Sequence, residues 1–103
     1  MDNYEEELKN RIEELYQRIE KNKDLLVAYT LIEKGKSKYV HIFSLPNIIN
    51  KNMQSGNYKR AMKYYFFANR LMIDIEKNSK EIKNRITTYM LEEWVEGKRI
   101  KEF

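Results

Sequence analysis

Leu25-Leu26-Val27-Ala28-Tyr29-Thr30-Leu31-Ile32-Glu33, then Lys34-Gly35-Lys36-Ser37, then Lys38-Tyr39-Val40-His41-Ile42-Phe43-Ser44-Leu45: this stretch decides the fold class of the chain. Both runs are rich in β-branched and aromatic residues, which suit a pleated, half-buried surface. The tetrapeptide between them carries a glycine and reads as a turn. Two such runs around a short Gly-containing turn predict an antiparallel β-hairpin over 25–33 and 38–45. The alternative is a helix that continues through Leu26 and Tyr29, because the three-and-four spacing of the preceding segment extends into them.

Outward from this stretch the patterns are helical. Residues 3–24 place Leu8, Ile12, Leu15 and Ile19 on one narrow stripe, with Asn22 continuing it. Asp2 is placed as an N-cap, with Glu5 three residues on as in a capping box. Glu5, Glu6 and Glu7 sit where the positive end of the helix dipole favours anions. Beyond the hairpin, Pro46 opens a short helix carrying Ile48, Ile49 and Met53. Ser55-Gly56-Asn57 breaks it. From Tyr58 a long helix follows, with Met62, Tyr65, Met72 and Ile75 expected in the core. Asn78-Ser79 ends it. A last helix carries Ile82, Ile86 and Trp94 inward and stops at Gly97. The expected fold is therefore α+β and mostly helical: a long N-terminal helix, a hairpin, then two or three helices, with an all-α bundle as the alternative.

A chain of 103 residues is read as a single domain over 1–103. The acidic N-terminus does not resemble a secretion signal. No apolar run approaches the ~18 residues of a membrane span. Cysteine is absent, so thiolate chemistry is excluded. A cytoplasmic protein is the default. The weight of Lys, Asn, Ile, Tyr and Glu is a bias common in AT-rich genomes, including those of viruses and mobile elements.

Catalytic chemistry finds little to work with. Gly35-Lys36-Ser37 matches the end of a phosphate-binding loop, but Thr30 stands where its first glycine belongs. His41 is the one histidine, so a His/Cys metal site cannot be assembled, and no partner orients it as a general base. Glu13-Glu14 and Glu92-Glu93 point about 100° apart on a helix and do not converge. The chain is read as a non-enzyme that needs no cofactor, metal or small-molecule ligand.

Charge is distributed unevenly. Residues 1–33 hold nine acidic and five basic residues, a local net of −4. Residues 34–73 hold eight basic residues and no Asp or Glu. Basic groups attract phosphate, and exposed aromatics stack on bases. The expected function is a small nucleic-acid-binding or regulatory protein that meets phosphate through Lys34, Lys36, Lys38, Lys59, Arg60 and Lys63. Most of the neighbouring aromatics are assigned to packing. A helix–break–helix outline over 47–66 is too apolar in its second helix to name a DNA-binding family. The alternative function is a structural or protein-interaction module. In either case self-association into a homodimer, or pairing with a helical partner, is expected through the stripe Leu8, Ile12, Leu15 and Ile19.

Overall fold

A computed structural model describes residues 3–101. Among these the chain forms five helices and no strand. They are α1 Asn3–Lys21, α2 Lys23–Ile32, α3 Leu45–Gln54, α4 Tyr58–Lys77 and α5 Ser79–Lys101. The predicted hairpin is absent, and the all-helical alternative describes the chain. The Asp2 N-cap lies outside the described residues.

The first hairpin strand is α2. Its Leu26 is fully buried while Leu31 is 73% exposed. The glycine that reads as a hairpin turn instead ends this helix. Gly35 N–H bonds to the Thr30 carbonyl and Lys34 N–H to the Leu31 carbonyl. That is the Schellman pattern of a helix C-terminus. Lys34 takes the left-handed position at φ 53° and Gly35 follows at φ 76°. Glycine punctuates helix ends and hairpins alike, so its presence does not discriminate between them.

The second predicted strand, 38–45, is a chain of turns running into α3. Val40 N–H bonds to Ser37 O, Ile42 to Tyr39 and Ser44 to His41, all three residues apart. The buried positions keep that spacing: Tyr39, Ile42 and Leu45 are buried, while His41 and Phe43 point out. A strand would have buried every second residue. The apolar side chains satisfy the core from a three-residue periodicity, and no ladder partner is required.

Asn22 separates α1 from α2. Its side-chain amide donates to the Arg18 carbonyl at 2.8 Å, and its own carbonyl still accepts from Leu26. It marks a bend in one long helical arm. Asn78 separates α4 from α5: its carbonyl accepts from Ile82 N–H, its backbone N–H donates to the Asp74 carbonyl, and its side-chain amide donates to the Asp74 carboxylate at 3.2 Å.

The contacts define the topology. Tyr58 OH, at the start of α4, donates to Glu5 near the start of α1. Arg18, near the end of α1, reaches Asn69 and Glu76 towards the end of α4. The two helices therefore run in the same direction. Further along, Glu33 after α2 pairs with Arg85 of α5. The return path is α3. Tyr16 OH donates to the Pro46 carbonyl at its start, and Asn50 and Gln54 share a cleft with Glu5 and Lys9 at its end. Over those eight residues α3 advances about 12 Å while its contacts slide back along α1 by a similar length. So α3 lies antiparallel to both long arms.

The core sits where α1, α3 and α4 meet, around Leu15, Ile49 and Met72, with Leu26 and Ile82 extending it towards α5. Tyr65, Met72 and Ile75 are buried as expected, and Ile86 is partly buried. Met62 and Trp94 are not: they are 42% and 63% exposed. Helix α5 also continues through Gly97 to Lys101 rather than stopping there. Its residues 91–98 are all exposed. The principal extents are 69 × 22 × 16 Å, and the radius of gyration is 18.0 Å, against about 13 Å for a compact chain of this length. The molecule is a rod with a projecting helical end.

Two ion-pair groups tie the rod together. Arg18 grips Glu76 with two hydrogen bonds, at 3.0 and 2.7 Å. Lys38 pairs with Asp74 at 2.7 Å, and Tyr39 OH donates to the same carboxylate. The Lys38 ammonium and the Tyr39 hydroxyl hold Asp74 below the usual carboxylate range, and Arg18 holds Glu76 below it too. A carboxyl whose folded pKa is depressed contributes stability that is present above its unfolded value and lost as pH falls through the folded one. Thermal melts should therefore hold steady down to about pH 4, the ordinary carboxylate range, and drop below it. Asp74→Asn together with Glu76→Gln should remove part of that acid-side dependence. An unchanged pH profile in the double variant would show that these carboxylates do not contribute.

Candidate nucleic-acid interface

Helix α4 has two opposite faces set by the same periodicity. Ala61, Tyr65, Ala68, Met72 and Ile75 recur at four and three and are buried. Lys59, Lys63, Phe66, Arg70, Ile73 and Lys77 recur at four and three on the other side, and all are exposed. The contacts to α1 and α3 lie on the buried side, so this second stripe faces outward along the whole helix. From Lys59 to Arg70 it runs about 16 Å.

The structure brings Lys59, Arg60 and Lys63 together. With Asn57, Met62 and Phe66 they line one shallow depression of about 520 Å³. No carboxylate lines it. Among the described ion pairs none involves Lys59, Arg60, Lys63 or Arg70. Among the described residues these cations have no ion-pair partner, which leaves their field available to an external anion.

The three loop lysines are placed elsewhere. Lys34, Lys36 and Lys38 lie in the turns after α2, beside the far end of α4. Lys38 reaches Asp74, eleven residues beyond Lys63 and so about 16 Å further along the helix. Its charge is engaged with that carboxylate, which raises its own pKa. Lys34 and Lys36 are exposed. The six lysines and arginines singled out in the sequence thus form two separate groups, one at each end of α4.

Arg70 and the aromatic pair Phe66 and Phe67 belong to the α4 face and were not identified as site residues from the sequence. Phe66 is 55% and Phe67 51% exposed. Their helical spacing resembles a core pattern, and only the position of α3 reveals that they lie outside it. The polar neighbours at Lys63 and Arg70, four residues from Phe67 and Phe66 respectively, were the available clue.

The oligomerisation stripe is covered within the chain. Ile12, Leu15 and Ile19 belong to the buried core, and Leu8 packs against its edge. His41 is exposed in its turn. Ser37 Oγ accepts from the Tyr39 N–H at 3.0 Å, a local turn contact rather than a phosphate cradle. Among the described residues there is no group of three or more His, Cys, Asp or Glu side chains placed to hold a metal, and no helix is long and apolar enough to cross a membrane.

Exposed apolar side chains gather at the two ends of the rod. A groove of about 500 Å³ runs between the first turns of α1 and α4, lined by Tyr4, Leu8, Tyr58, Met62, Tyr65 and Phe66, with Glu5, Glu7 and Arg11 at its edge. At the opposite end of the rod, Met90, Leu91, Trp94 and Val95 stand exposed on two turns of α5. Comparison of the chain with protein-family models, with curated proteins and with solved structures returns no match.

Proposed function

We propose that the chain is a small cytoplasmic nucleic-acid-binding protein, regulatory rather than catalytic, that meets phosphate through the outer face of α4. The observation that carries this reading is the alignment of Lys59, Lys63 and Arg70 on one exposed face, flanked by Arg60 and without a carboxylate among them. Such a face neutralises phosphates and releases their condensed counterions. Phe66 and Phe67 add flat apolar surface on which an unpaired base can stack. Because α3 lies alongside α4 rather than across it, the pair is an αα-hairpin. The contact envisaged is therefore backbone binding along α4, not the insertion of a crossed recognition helix.

The test is salt dependence. Affinity for duplex DNA should fall with a log–log slope of about −0.9 per phosphate neutralised, or about −0.7 on a single strand. Lys59→Gln, Arg60→Gln and Lys63→Gln together should weaken binding across all sequences and flatten the slope by roughly two to three units. Exposed substitutions seldom cost more than about 0.5 kcal/mol each, so the fold should survive. Changing Lys98, Arg99 and Lys101 removes the same charge elsewhere. Equal losses in both triple variants, or no binding by the wild type at ~100 mM salt, would leave α4 without a special role.

A second reading, a protein-interaction module, is favoured by Met90, Leu91, Trp94 and Val95. Four large apolar side chains clustered on a projecting helix end are a contact surface in search of a partner. Self-association is part of this reading, through a surface other than the covered α1 stripe.

A further inference from the structure

We infer that the outer face of α4 takes single-stranded nucleic acid in preference to duplex, its bases stacking on Phe66 and Phe67 while the cations beside them hold the phosphates. This rests on the phosphate-binding reading and names the class of strand that the face fits. Lys59, Lys63, Arg70 and Lys77 are all exposed. At about 100° per residue they fall within about 40° of one another, a nearly straight line about 27 Å long. Phe66 and Phe67 stand in the gap of about 10 Å between Lys63 and Arg70, one on each side of that line. Both are about half exposed, at 55% and 51%. The Phe66 ring meets the ring of buried Tyr65 at 5.5 Å between centroids and 71° between planes. That contact braces Phe66, so little side-chain freedom is left to lose when a base covers it.

The carboxylates that border the face are engaged elsewhere. Glu5 and Glu7, which share a groove with Phe66, pair with Lys9 and Arg11 at 3.4 and 3.1 Å. Asp74, one turn beyond Arg70, pairs with Lys38. Among the described ion pairs none uses Lys59, Lys63, Arg70 or Lys77. The cations therefore attract phosphate of either strand class, and the phenyl rings between them discriminate. In a duplex each base is covered by its neighbours in the stack. A phenyl ring held between cations there meets only phosphate and sugar, and its apolar surface gains nothing. A single strand leaves the π-faces of its bases open, and its flexible backbone can follow a straight, convex helix. Stacking of this kind accepts every base, so the face discriminates by strand class and not by sequence.

Fluorescence anisotropy of the full chain at ~100 mM salt tests this with three labelled probes. They are an oligothymidylate of about 20 nucleotides, longer than one site, an abasic sugar–phosphate strand of the same length, and a duplex of the same length. The abasic strand keeps the charge and lacks the bases. The duplex carries more phosphate than either, so electrostatics alone would favour it. The wild type should bind oligothymidylate at least about fivefold tighter than both other probes. Phe66→Leu with Phe67→Leu keeps apolar bulk at these exposed positions and removes both π-faces, and circular dichroism checks that the chain remains helical. This variant should lose at least about fivefold on oligothymidylate and less than about twofold on the duplex, with its salt slope unchanged. Phe66→Trp with Phe67→Leu returns one aromatic face and should recover most of the loss. A duplex bound as tightly as oligothymidylate overturns the inference, as does a double-leucine variant that binds oligothymidylate like the wild type. Equal losses by that variant on all three probes would show an apolar contact without stacking and overturn it too. In each of these cases the phosphate-binding reading stands as long as the Lys59, Arg60 and Lys63 triple variant still loses affinity. A wild type that binds none of the probes overturns both.

Discussion

Met72→Ala is expected to cost about 2–5 kcal/mol of unfolding free energy, the range for deleting a fully buried aliphatic side chain and leaving a cavity. Met72 has no exposed surface and lies at the centre of the cluster formed by α1, α3 and α4. Met62, ten residues earlier on the same helix, is 42% exposed. Its truncation should change stability by about 0.5 kcal/mol or less, as surface substitutions do. The pair therefore measures which side of α4 is inward, independently of overall helix content, because both substitutions favour helix to a similar degree. Urea titration with a common slope gives both values. Equal costs at the two sites would show that α4 is covered on both faces. The exposed basic stripe, and the function proposed for it, would then have no surface to occupy.

Ile42→Ala is expected to cost a comparable amount, about 2–5 kcal/mol. Ile42 is fully buried yet belongs to no helix. It is held by the turns between α2 and α3, flanked by Tyr39 and Leu45 at three-residue spacing. Phe43 next to it is 38% exposed, so Phe43→Ala should cost well under half as much. This contrast separates the turn geometry from a strand. In a strand, Tyr39, His41, Phe43 and Leu45 would share a face, and Ile42 would share the opposite one with Val40 and Ser44. A larger loss at Phe43 than at Ile42 would restore the alternating pattern. The effect should appear mainly in stability, because Ile42 is remote from the depression formed by Lys59, Arg60 and Lys63.

Local chemistry explains which helices were readable. In α1 the apolar stripe, the acidic first turn and the pairs Glu5–Lys9 and Glu7–Arg11 all agree, so any packing of the chain would keep that helix. The breaks at Ser55-Gly56-Asn57 and at Asn78 were legible because each carries side-chain or backbone chemistry that stops a helix. Gly56, at φ 76° with Asn57 N–H bonded to the Asn52 carbonyl, is a second Schellman end. Asn22 was read as a polar position on a continuing seam, whereas it is the bend that divides the arm.

The basic character of residues 34–73, the freedom from cysteine and the helical periods of α1, α4 and α5 were determined by the sequence itself, since each depends only on composition or on spacing along the chain. Tertiary structure decided the rest. Residues 25–33 have side chains suited equally to a strand or to a buried helix. The choice fell to helix because α5 lies against them and buries Leu26, and because residues 38–45 are engaged with the core as turns and offer no ladder. The same dependence on neighbours sorted the apolar residues of α4 and α5. Met62, Phe66 and Trp94 have the spacing and the hydrophobicity of core residues, but burial requires a partner element on that side. In this fold α3 and α1 cover only one side of α4, and among the described residues, 91–98 of α5 are left exposed.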